Sequence, residues 1–290
     1  MSERETYFQK LTPRETELAW TGMKFDFQRI EKWHKAGQDA WNVSSGSLLD
    51  AVDGLNEPLQ VSHLIGYLLH TAVDHLHALK TLLADANAQH TFAPYTLIRG
   101  SIEAASTVLW VLQDDVARRV ARRALTLEYQ NLKDQRRATK LVDAQADFDP
   151  ELMDVLKQVL GSMDLTLGMV KDPPHVSTII RDVAESFELP ASQLTWQMCS
   201  AAAHGRPWAK QFLTLFEAID DDGVSKTLSG QLTSNHLAMA ISLNTACDVV
   251  DKARTVRNSY SRNPNHTGES FTKPSNRLHL VKNSLLLPKY

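Results

Sequence analysis

Apolar residues recur at intervals of three and four along most of this chain, the spacing that lines one face of an α-helix. Trp20, Phe25, Phe27, Ile30, Trp33 and Trp41 mark a first helical segment over residues 14–43, with a connector over 44–58. A long helix is predicted for 58–86. A second covers 94–113, with Pro94 in its first turn, and a third covers 116–142. Asp149-Pro150-Glu151 is a helix start leading into 153–169; Pro173-Pro174 ends that helix, and 176–187 forms the next. Two more are expected over 190–204 and 207–219. Asp220-Asp221-Asp222-Gly223 then turns the chain into a last long helix over 231–257. No stretch alternates in the manner of a strand. Beyond residue 257 the periodicity is lost. The expected fold is all-α, a bundle of roughly seven to nine helices. It divides into an N-terminal helical segment (1–57), the helical bundle (58–257) and a flexible basic tail (258–290).

Composition narrows the setting. With 43% hydrophobic and 22% charged residues, the 290-residue chain is ordinary for a globular protein and can bury a substantial core. A net charge of −3 exerts no global pull on nucleic acid or an anionic membrane. Cys199 and Cys247 are too few for a disulfide framework and fit a reducing cytoplasm. The N-terminus lacks the apolar core of a signal peptide. The most apolar stretch, 97–112, carries Arg99 and Glu103 and is too short to span a bilayer. The expectation is a soluble cytoplasmic protein with no membrane partner and no cofactor.

Four constellations carry candidate chemistry. On the 116–142 helix, Arg118, Arg119, Arg122, Arg123, Lys133, Arg136, Arg137 and Lys140 fall within an arc of about 140°, with Tyr129 projecting from it. Such a face either contacts phosphates, with the tyrosine stacking a base, or is a solvated surface whose arginines pair with acidic neighbours. On the 58–86 helix, His63, His70, Asp74 and His77 share a stripe. Three readings stay open: metal ligands completed from another helix, an aspartate–histidine pair, or a plain polar face.

Arg99 and Glu103, with Ser106 and Trp110, form the one polar strip of an otherwise apolar helix, 94–113. A helix apolar around most of its circumference is expected at the centre of the bundle, and its arginine and glutamate then need partners, structural or functional. Last, Gln197, Ser200 and His204 share a face of the 190–204 helix, followed by Gly205 as a C-cap, then Arg206 and Pro207. His204 is either a site residue or a helix-end histidine interacting with the dipole. No nucleophile elbow, phosphate loop or dinucleotide fingerprint is present, and Cys199 is expected in the core.

The combination of Asp74-His75-Leu76, Tyr95-x3-Arg99-x3-Glu103 and Trp196-Gln197-x2-Ser200-x3-His204-Gly205 resembles a group of bacterial helical proteins that looks HEPN-like, over roughly residues 60–250. The resemblance implies an α-helical, often dimeric protein. It also implies metal-independent ribonuclease chemistry in a toxin–antitoxin or phage-defence setting, with RNA and an antitoxin-like protein as partners. The family's histidine matches His204. Its arginine, four to six residues upstream, is absent here; Gln197 stands nearest, so Arg99 or Arg206 would have to supply the cation. On this reading Arg99, Glu103, Ser200 and His204 are the catalytic candidates and are expected to converge. The competing readings are a non-catalytic binding or scaffold protein and a metal-dependent enzyme built on His70, Asp74 and His77.

Overall fold

The computed structural model describes residues 11–36, 41–220 and 229–263, except for the side chains of 217–220 and 229. Ten α-helices and one β-hairpin are found among the described residues. Local chemistry sets many of the boundaries. Helix α1 (Pro13–His34) begins with a capping box: Thr12 Oγ1 accepts from the Glu15 amide at 3.2 Å, and the Glu15 carboxylate accepts from the Thr12 amide at 2.8 Å. Ser47 caps α2 (Leu48–Asn56), a short helix within the stretch expected to be a connector. Helix α3 (Val61–Lys80) closes in a π-turn. Proline stands in the first turn of α4 (Ala93–Val111), α6 (Pro150–Ser162), α8 (Pro190–Ala203) and α9 (Pro207–Leu213), where the missing N–H costs nothing. Helix α5 (Ala117–Thr139) and α7 (Val176–Ser186) lie close to their predicted spans, and Asn235 caps α10 (His236–Tyr260).

The expectation of helix over 207–219 and from residue 231 is corrected. Strands β1 (Thr214–Asp220) and β2 (Ser229–Ser234) pair antiparallel, with Thr214 opposite Ser234 and Phe216 opposite Leu232. β-branched and aromatic residues in one segment, and serine, glycine and threonine in the other, disfavour helix, and pairing decides the outcome. Helix α10 also runs three residues into the expected tail; residues 264–290 of that tail lie outside the described residues.

Helix α4 is the centre. It packs against α3, α7, α8 and α10, and most of its residues are buried. The core is continuous across residue 57, because α1 packs on α3 and α10 while α2 packs on α5. No described helix is long and apolar enough to cross a membrane.

The seam between α1 and α10 is held by charge. Arg29 Nη1 donates to Asp26 Oδ1 and to Asp248 Oδ1, each at 3.0 Å. Above Arg29 the guanidinium and indole groups alternate. Arg29 and Arg254 flank the Trp33 ring at 5.4 and 6.0 Å, and Arg254 and Arg257 flank Trp41 at 6.0 and 5.4 Å. Asp26 is only 1% exposed, so burial pushes its carboxyl above the usual range, against the opposing pull of Arg29.

Arg29→Met would strand a buried carboxylate, and urea melts should show a loss of roughly 3–5 kcal/mol. Since the folded-state pKa of Asp26 is raised, its protonation favours the folded state. That contribution is complete below 3.8 and is lost as pH rises through the raised value. Asp26→Asn should remove it, flattening the acid side of the stability profile.

Candidate functional site

Two hydrogen bonds fix how α8 and α9 lie on α4. Trp196 Nε1 donates to Glu103 Oε1 at 2.8 Å, and the Tyr95 hydroxyl donates to the Leu213 carbonyl at 3.0 Å. Glu103 of α4 thus holds α8, and Tyr95, two turns earlier, holds the end of α9. Arg99 lies one turn before Glu103 on α4. His204 lies eight residues past Trp196, about 12 Å along the axis at ~1.5 Å per residue. Of the expected catalytic group, Arg99 and Glu103 are in direct contact, and α8 reaches them through Trp196.

Glu103 and Arg99 are each about one-quarter exposed. Glu103 Oε1 accepts from Arg99 Nε at 2.9 Å as well as from Trp196. Arg99 engages through Nε alone, leaving its two terminal nitrogens without an acceptor among the described residues. That geometry is less than a bidentate ion pair and leaves charge available. Ser200 is half-buried, and the bond between it and His204 is main-chain, from the His204 amide to the Ser200 carbonyl at 3.1 Å.

The end of α8 is a Schellman closure. The Gly205 amide donates to the Ala202 carbonyl and the Arg206 amide to that of Ala201, with Gly205 at φ +62°, a conformation that favours glycine. This leaves the side chains of His204, Arg206 and Trp208 exposed on one rim, with Gln197 also exposed two turns back. Trp208 is 47% exposed and meets Phe212 edge-on at 6.5 Å. No hydrogen bond or ion pair holds the rings or charged groups of His204 and Arg206 among the described residues. Cys199, on the inner face, is buried, and its thiol is pushed up to about 12 by that burial; it is a core residue.

The basic face of α5 is largely occupied. Arg118 donates to the Met163 carbonyl and lies 3.9 Å from Asp164. Arg119 pairs with Asp114 at 3.3 Å, Arg136 with Asp147 at 2.8 Å and Arg137 with Asp134 at 3.0 Å. Arg123 donates to the Trp110 carbonyl, and Lys133 to that of Lys171. Tyr129 stacks on Phe148 at 6.2 Å. Arg122 and Lys140 stay exposed, without side-chain partners among the described residues.

The histidine stripe divides. His70 and Asp74 are exposed, while His77 turns to α1 and stacks on His34, with ring centroids 3.7 Å apart. His77 Nε2 lies 3.8 Å from the Glu31 carboxylate. Among the described residues no group of three metal-type ligands forms.

Two residues make contacts that the sequence does not show. Trp208 reads from sequence as one more helical aromatic after Pro207. His75 shares an element with the stripe but points at α4: its Nδ1 bonds the Thr71 carbonyl at 2.7 Å, and its ring lies over Gly100, beside Arg99. A Cβ added at Gly100 would stand 2.8 Å from His75 Nε2. Comparison with protein families, curated proteins and solved structures returns no match to the chain.

Gly100→Ala should therefore destabilise the fold by about 1–3 kcal/mol in chemical denaturation. Adding His75→Ala should recover part of that loss. A Gly100→Ala protein as stable as the parent would mean that α3 and α4 do not approach so closely.

Proposed function

We propose that this chain is an RNA-binding helical protein, HEPN-like in its motifs, that holds RNA along the α8–α9 rim without cutting it. The observation that carries this reading is a set of polar groups with no partner among the described residues, the Arg99 terminal nitrogens, His204 and Arg206, together with the exposed Trp208. Guanidinium groups suit phosphate, an exposed indole suits a base face, and a histidine adds a hydrogen bond to sugar or phosphate. The motifs Tyr95-x3-Arg99-x3-Glu103 and Trp196-Gln197-x2-Ser200-x3-His204 add support, since their residues meet through the Glu103–Trp196 contact. The paired cations of α5 make that helix the poorer surface.

Binding is favoured over cleavage by the state of His204. A general base works when another group fixes its tautomer and aims it. The His204 ring is exposed, with no such group among the described residues, and Glu103 is spent on Trp196 and Arg99.

The test is fluorescence anisotropy with a labelled single-stranded RNA of about 12 nucleotides at low salt. Arg206→Gln should weaken binding to all sequences alike and lower the salt slope by about 1. Trp208→Ala should cost about 1–3 kcal/mol of stacking. Combined glutamine replacement of Arg119, Arg122, Arg136 and Lys140 should leave affinity nearly unchanged. The RNA should remain intact. Cleavage that disappears in His204→Asn would replace this reading with a ribonuclease, and a parent protein that binds no RNA at low salt would end it.

A further inference from the structure

The side of α5 turned away from its cations lines a groove of about 230 Å³. Three parts of the chain build it. Leu132 comes from α5, Leu152 and Leu156 from one face of α6 at i, i+4 spacing, and Leu59 from the segment after α2. Leu132 and Leu156 are buried, whereas Leu152 is 42% exposed, so the leucine floor is open to water at Leu152.

Of the residues lining this groove, only Glu128 is ionisable. It stands one turn before Leu132 on α5 and is half-buried. Burial raises its carboxyl above the usual range, and a hydrogen bond from the Asn131 amide opposes that shift. No cation pairs with it among the described residues. At ~100° per residue the basic arc of α5 is centred about 150° around the helix from the stripe of Glu128, Leu132 and Gln135. Asn131 and Gln135, both exposed, add side-chain carbonyl acceptors along the same rim.

A half-buried carboxylate beside leucines costs stability while no cation meets it. The described residues supply none, which leaves the charge to water or to a ligand cation. A metal ion suits the groove poorly, because it takes several oxygen ligands and the leucine floor offers none. A polyamine would set its further ammonium groups against leucine. A single primary ammonium on an apolar body meets both halves of the groove: its three N–H groups face one carboxylate and two amide carbonyls, and its body covers the floor.

We propose that the groove between α5 and α6 binds a small primary monoamine, its ammonium on Glu128 and its apolar body on the leucine floor. The proposal does not rest on the RNA-binding reading, because it uses other elements.

Isothermal titration calorimetry of the full chain with hexylamine near neutral pH tests it, with 1-hexanol as the uncharged control. Hexylamine should bind once per chain with a Kd of about 0.1–10 mM, the range open to so small a ligand. 1-Hexanol should bind at least about tenfold more weakly. Glu128→Gln keeps the shape and removes the charge. It should melt no lower than the parent, since it removes an uncompensated carboxylate, and should lose about tenfold or more in hexylamine affinity. Leu152→Asn changes an exposed residue of the floor and should weaken hexylamine several-fold while the fold is kept by circular dichroism. A parent that shows no saturable hexylamine binding, hexanol binding as tight as hexylamine, or undiminished binding in Glu128→Gln overturns the proposal. So does a Glu128→Gln protein that melts well below the parent, which would make the carboxylate structural. A blocked Leu-Lys-Leu peptide that binds where hexylamine does not would assign the groove to a protein partner instead.

Discussion

Helix α4 is enclosed by α3, α7, α8 and α10, so any charge it carries has to be answered from inside the bundle. Arg99 and Glu103 are the charges in question, and their pairing alone is a weak answer, because arginine preceding glutamate is the less favourable order on a helix. The Trp196 indole completes it by donating to the same carboxylate oxygen. That bond ties α8 to the central helix, and Tyr95 ties the end of α9 to it through the Leu213 carbonyl. The same segment carries half-buried Ser200, and its turn into α9 exposes His204, Arg206 and Trp208. Among the described residues, the only side-chain polar atoms of α4 buried without a partner are the small hydroxyls of Ser101 and Ser106.

Much of the fold was legible because helices announce themselves locally. Proline at positions 94, 150, 190 and 207 marks starts, and Gly205 marks an end, each for reasons contained within a few residues. The central position of α4 was legible too, from its nearly complete apolar circumference. The hairpin was not. Thr214 to Asp220 follows a proline-started helix and carries mixed apolar residues, and only the partner strand at Ser229 to Ser234 converts it to β. Helix α2 was lost for a related reason: nine residues with Gly54 inside them give too short a pattern.

The candidate site was less readable, since its meaning lies in contacts between distant segments. The composition of α5 displays eight cations, but not the acids and carbonyls that loops deliver to them at Asp114, Asp147, Met163 and Lys171. The histidine stripe of α3 shows one face, while the partner of His77 comes from α1. Helix arithmetic puts Ser200 and His204 on one side, but cannot say that Glu103 is anchored by an indole 93 residues later in the chain. Charge patterns in sequence report supply; the structure reports how much of that supply is already used.

The account's central claim is that binding capacity resides in the side chains at the α8–α9 rim that have no partner among the described residues. Amide hydrogen exchange of the full chain with and without a saturating single-stranded RNA tests this most directly, because it reads every segment at once. Protection confined to peptides covering residues 196–213 and the Arg99 turn of α4, with the peptides of α5 unchanged, is the predicted result. Protection concentrated on 117–140, with the rim exchanging as in the free protein, would contradict it.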